Sequence, residues 1–225
     1  RDAKLAYAET LNSLSHTQDK ATGVATAEEG RKVLAAIGAL DLSDLRATSS
    51  YADLADSQSR HLLALGRVEE AKALAREVYA LTEKVLVREP GNLHSLDNRY
   101  LAANMLSEVA QLQHEDAVAM DFADRAVQAG EDSVRFNPAD LDTWLNWIRG
   151  LGSMGRLHWD RGEIGQGIAS LEAALALKDD PRAPAGLDTL LVQLRGTLAV
   201  VQGMRGDAAA ARRSLQAGQH DLEAR

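Results

Sequence analysis

Along this chain the apolar residues recur at the three-and-four spacing that gives a helix one buried face. Leu74, Val78, Leu81 and Val85 form one such stripe; Trp144, Ile148, Leu151, Met154 and Leu157 or His158 form another. The pattern predicts helices near 2–16, 24–39, 44–65, 67–89, 93–113, 115–135, 139–161, 163–177, 184–205 and 207–222. Asn137-Pro138-Ala139-Asp140 reads as a helix start with Asn137 as cap and Pro138 at the first helical position. Asn92 is placed to cap in the same way after Pro90-Gly91.

The pattern repeats. Pro90 and Pro138 are 48 residues apart, and Gly66, His114 and Gly162 share that spacing, each opening a short polar turn. Five residues on, a small residue closes each turn: Ala71, Ala119 and Gly167. A fourth copy follows after 44 residues as Gly206 and Ala211. Twelve positions before each of these small residues stands another, giving the pairs Ser59/Ala71, Ser107/Ala119, Gly155/Gly167 and Ala199/Ala211. Each unit is therefore an antiparallel helix pair with a tight turn in its middle.

These residues resemble the tetratricopeptide (TPR) family. The stretch Leu65 to Leu74 is similar to that family's central turn and second-helix start, and the small pairs occupy its eighth and twentieth positions, where two helices touch. The aromatics expected at the fourth and eleventh positions are missing: Ala55, Ala103, Leu151 and Arg195 stand at one, Leu62, Ala110, His158 and Gln202 at the other. The family's unit is about 34 residues, so a 48-residue unit adds seven to each helix. Seven residues is close to two turns and keeps the buried face in phase. Longer units of this kind resemble arrays appended to bacterial signalling proteins. The resemblance implies an all-α, right-handed α-solenoid of antiparallel helix hairpins, a TPR-like superhelix. It predicts a divergent N-terminal capping hairpin over 1–43, then repeats over 44–91, 92–138, 139–182 and 183–225, all in one continuous solenoid domain. A HEAT-like array, with a period of about 40–47 residues, is the competing all-α reading.

Composition agrees with helices. Alanine supplies 39 of 225 residues and aromatics only 4%, a balance that favours helix over strand. The net charge of −8 argues against nucleic acid and against an anionic membrane surface. No apolar run approaches the roughly 20 residues that span a bilayer. Cysteine is absent, which removes disulfides, thiolate metal sites and a Cys nucleophile. Residue 1 is Arg, with no signal-like segment after it, so a segment of a longer protein is expected. The compartment is left open, with the cytoplasm favoured over the periplasm.

Candidate chemistry is sparse. Gly150-Leu151-Gly152-Ser153-Met154-Gly155 matches the dinucleotide fingerprint by letter, but it continues a helical stripe where the chemistry needs a strand. The histidines at 16, 61, 94, 114, 158 and 220 lack the spacing that places two imidazoles on one helix face for zinc. Carboxylate pairs such as Asp53/Asp56 and Asp121/Asp124 share helix faces, as expected among 33 acids. Packing accounts for Trp144 and is favoured for Trp159. No catalytic, cofactor-binding or metal site is expected, and no cofactor.

The resemblance implies that positions two, five, nine, twelve and thirteen of each unit face a binding groove. The candidates there are Arg60, Asn104, Glu108, Gln111, Arg149, Arg156 and Trp159. The expected function is a protein–protein interaction scaffold within a larger bacterial signalling or regulatory protein, binding a protein or peptide and leaving homo-oligomerisation open. The alternative is a small-ligand sensor in which Arg149, Arg156 and Trp159 line a pocket.

Overall fold

The computed structural model describes residues 1–223. Among them are ten α-helices and no strand: α1 (Asp2–Ser15), α2 (Lys20–Ala35), α3 (Leu45–Ala64), α4 (Val68–Arg88), α5 (Leu93–Leu112), α6 (Asp116–Phe136), α7 (Leu141–Asp160), α8 (Ile164–Ala176), α9 (Asp188–Met204) and α10 (Ala208–Glu223). Two compact units divide the chain, Arg1–Phe122 and Ala123 onward.

In the first unit each helix packs antiparallel on the next, and α1, α3 and α5 also touch in succession. The hairpins are made by one recurring device. At α3–α4, Gly66 N–H donates to the Leu63 carbonyl and Arg67 N–H to that of Leu62, both at 2.9 Å, with Gly66 at φ +74°. This double closure satisfies carbonyls that the helix end would otherwise orphan. His114 and Glu115 repeat it on Gln111 and Ala110 after α5, with His114 at φ +57°. The second unit uses it twice more, at Gly162 (φ +77°) and Gly206 (φ +89°). These are the four turn openers that the sequence spacing marked.

The first helices of three of these hairpins also carry side-chain N-caps. Asp44 accepts from Ala47 N–H at 3.1 Å, Asn92 from Ser95 N–H at 3.0 Å, and Asp140 from Asp142 N–H at 3.0 Å. The caps stand 48 residues apart, and α3, α5 and α7 are each 20 residues long. The expected cap at Asn137 is therefore corrected to Asp140. Asn137-Pro138-Ala139 forms a turn instead, in which the Asn137 carbonyl accepts from Thr143 Oγ1 and the Pro138 carbonyl from Trp144 Nε1 at 2.8 Å. Helix α2 also begins four residues earlier than expected, because the Asp19 carboxylate accepts from the N–H groups of Ala21 and Thr22. It ends at Ala35, before Gly38 at φ +103°. Helix α9 begins at Asp188 rather than 184, since Gly186 at φ +105° interrupts the helix.

The core of the first unit is built from Leu5, Leu34, Leu54, Val78, Leu81 and Val85, with Ala8, Ala27 and Ala55 where helices approach closely. A polar seam crosses it. Arg31 donates to Gln58 Oε1 and to the Tyr51 hydroxyl, both at 2.8 Å, and Tyr51 in turn donates to Glu77. Burial and the bond to Glu77 push the Tyr51 hydroxyl up to about 12. In the second unit Trp144, Ile148, Leu171, Leu191 and Leu198 form the core.

At the small pairs, backbone meets backbone. Ser59, Ala71, Ser107 and Ala119 are all buried. A Cβ on Gly167 would sit 2.8 Å from the Gly155 carbonyl oxygen. Only small side chains fit there.

Candidate functional site

In the first unit the first helices of two successive hairpins, α3 and α5, lie side by side. Helix α3 carries Asp53, Asp56 and Arg60 at helical spacing. Arg60 Nε donates to Asp56 Oδ2 at 2.8 Å. Burial works against the Arg60 charge, but the Asp56 carboxylate more than offsets it and Glu108 on α5 adds to the pull, so the guanidinium is held above its ordinary value. Arg60 and Glu108 are thus brought into one electrostatic neighbourhood. Asn104 is half-buried on α5. Gln111 is exposed and folds its amide back onto the Ser107 carbonyl at 3.3 Å. Asn98 Nδ2 donates to Asp53 Oδ1 at 3.0 Å, tying the two helices together.

The second unit holds the other three candidates, all on α7. Arg149 and Arg156 are exposed two turns apart, and Arg156 donates to Ser153 Oγ at 3.4 Å. Trp159 is half-buried and packs against the unit's core. The dinucleotide-like run 150–155 lies wholly within α7, and its glycines serve packing: Gly150 faces the Val127 backbone of α6, and Gly152 faces Leu194 of α9. His158 Nδ1 lies 2.7 Å from Glu163 Oε2. That bond, together with one from Arg161, holds the Glu163 carboxyl below the usual carboxylate range. Among the described residues no group of three or more His, Asp or Glu side chains could hold a metal ion. No described helix is long and apolar enough to cross a membrane.

Sequence reasoning passed over Arg46, Ser49, Ser50 and His94, which line an open pocket beside Asp53. Their signal was present, since 46, 49 and 53 fall on one face of α3. They lie upstream of the positions that the family resemblance marks, in the extra turns of the longer helix.

No family model matches the chain, and no curated protein matches it in sequence. Solved structures do match in shape. A protein from Podosopora anserina, assigned to the kinesin light chains and built of nearly identical TPR-like repeats, superposes with a TM-score of 0.61 at 16% identity, over 95% of this chain and 94% of that one. BtubC (BKLC) from P. vanneervenii superposes with a TM-score of 0.58 at 14% identity, over 99% of this chain and 89% of that one. The fold is TPR-like. Stacked antiparallel hairpins, left-handed turn openers and small residues at the hairpin crossing are what the TPR-like architecture needs. At such identities the likeness concerns fold, and the TPR-like face of α3 and α5 has its own side chains.

Proposed function

We propose that this chain is a non-catalytic protein-binding module that lays a segment of a partner protein along the face formed by α3 and α5 of its first unit. The observation that carries this reading is the α3–α5 face of the first unit. Asp53, Asp56, Arg60, Asn104 and Glu108 stand there at regular spacing, and Arg60 and Glu108 keep exposed surface for a ligand. Helical repeat arrays use such faces for extended recognition. In the second unit Arg149 and Arg156 are the exposed candidates on α7, whereas Trp159 contributes chiefly by packing. The alternative, a small-ligand sensor at Arg149, Arg156 and Trp159, draws less support, because the indole is engaged by the core. The acidic balance of −8 supports a protein partner over nucleic acid. The 48-residue spacing and long hairpins support a place in a larger bacterial signalling or regulatory protein.

Photo-crosslinking tests the reading. A benzoyl-phenylalanine at Arg60 or Gln111 is expected to capture one discrete partner in cells, and Glu108→Arg to abolish the adduct. The same probe at Arg76, exposed on α4, is expected to capture nothing. Equal capture from Arg76, or none from the α3–α5 face, would overturn it.

A further inference from the structure

The row on α3 continues past Asp53 into a pocket of about 720 Å³, bounded by the first turns of α3, by Glu9 of α1 and by the α4–α5 junction. A volume of this order is ample for a side chain and its neighbours. The charges around it are unequally satisfied. Arg46 is already held by Glu9, N···O 3.2 Å, so that pair cancels. What remains is Asp53 and Glu89 against the single imidazole of His94. Glu89 accepts from Asn92 at 2.9 Å, a neutral donor. Asp53 accepts from Asn98 through Oδ1, also a neutral donor, which leaves Oδ2 without a protein partner. Burial pushes the Asp53 carboxyl up, with the Asn98 bond and His94 opposing the shift and Asp56 and Glu9 adding to it.

An anion is disfavoured in the same pocket. The first turns of α3 and α5 border it, but Asp44 and Asn92 each already accept from one of their N–H groups, and the Asp53 and Glu89 carboxylates on its wall repel an anion. A metal ion is disfavoured as well, since among the described residues no three ligating side chains converge. An organic cation satisfies both Oδ2 and the net negative wall. We propose that this pocket is the anchor subsite of the module, taking a lysine or arginine side chain of the bound segment with its cation against Asp53. The proposal rests on the peptide-binding reading above and names the chemistry of its ligand.

A phage-displayed library of random dodecapeptides, selected on the whole chain, separates the two. Selected peptides are expected to share a Lys or Arg, and replacing it with norleucine or citrulline should weaken binding at least tenfold. Asp53→Asn, which keeps the bond to Asn98, should cost the same factor and leave no further loss on the norleucine peptide. Peptides that bind without a basic residue, or equally well to Asp53→Asn, overturn the subsite while the binding module stands. Retention of no peptide at all removes the module reading and the subsite with it. Should Asp53→Asn fail to fold, Ser49→Arg, at a half-buried pocket position, places a cation there from within. It is expected to abolish binding of the basic peptides, and undiminished binding would overturn the subsite equally.

Discussion

The Ser107 hydroxyl donates to the Ala119 carbonyl at 2.8 Å, twelve residues away across the α5–α6 hairpin. That bond requires the two backbones to lie close, and Ala119 is fully buried at the crossing. Ala119→Leu is therefore expected to destabilise by about 1–3 kcal/mol through overpacking. A urea melt of the variant overlaying that of the parent would mean that the crossing has room.

His114 alone among the four hairpin openers is not glycine, yet it adopts φ +57°. A side chain in that region carries a penalty of about 1–2 kcal/mol, and glycine lowers it at some entropic cost to the unfolded chain. His114→Gly should raise the urea midpoint by an amount equivalent to about 0.5–1 kcal/mol. A lowered midpoint would show that the imidazole makes a contact worth more than the strain.

The start of α7 offers a direct comparison of two neighbours. Asp140 accepts from Asp142 N–H, while Asn137 lies outside the helix. Asp140→Ala should cost about 1 kcal/mol, the scale of a lost N-cap. Asn137→Ala should cost less than half of that in the same thermal melt, and the reverse order would restore Asn137 as the cap.

His61 is 5% exposed, with Nε2 3.1 Å from the Ser15 carbonyl and Nδ1 buried without a partner. His16 and Lys20 add positive charge nearby, Asp19 a negative one; burial leads these influences and depresses the His61 pKa. The unfolded chain thus takes up the proton first. Its stability contribution is complete above the unfolded value near 6.5 and is lost as pH falls below it toward the folded value. Urea midpoints measured from pH 8 to pH 5 should decline, and His61→Gln should flatten that decline. An unchanged slope in the variant would place the acid sensitivity elsewhere.

Much of the fold was legible because it rests on local rules. Gly66, His114, Gly162 and Gly206 mark the turns, and the stripe Leu74, Val78, Leu81, Val85 marks a buried face; periodicity and left-handed turn chemistry are written residue by residue. Helix starts were less legible. Asn137 and Asp140 are both good caps, and the choice fell to the turn that Trp144 and Thr143 hold in place from inside α7. The proximity of Arg60 and Glu108 was legible, since their spacing follows the repeat and the structure brings them into one electrostatic neighbourhood. Packing was the favoured reading of Trp159, and the core of the second unit engages it. The pocket beside Asp53 was legible only along α3, where 46, 49 and 53 share a face. Its walls come from α1, α3 and the α4–α5 junction, and residues such as Glu9 and His94 have no relation in sequence. Sequence alone determined the helices, their turns and the small crossing positions, since each depends on neighbours within a few residues or on a fixed repeat. Tertiary structure decided which polar groups are already satisfied. That depends on partners forty or more residues away, as when Asn98 takes one oxygen of Asp53 and leaves the other open.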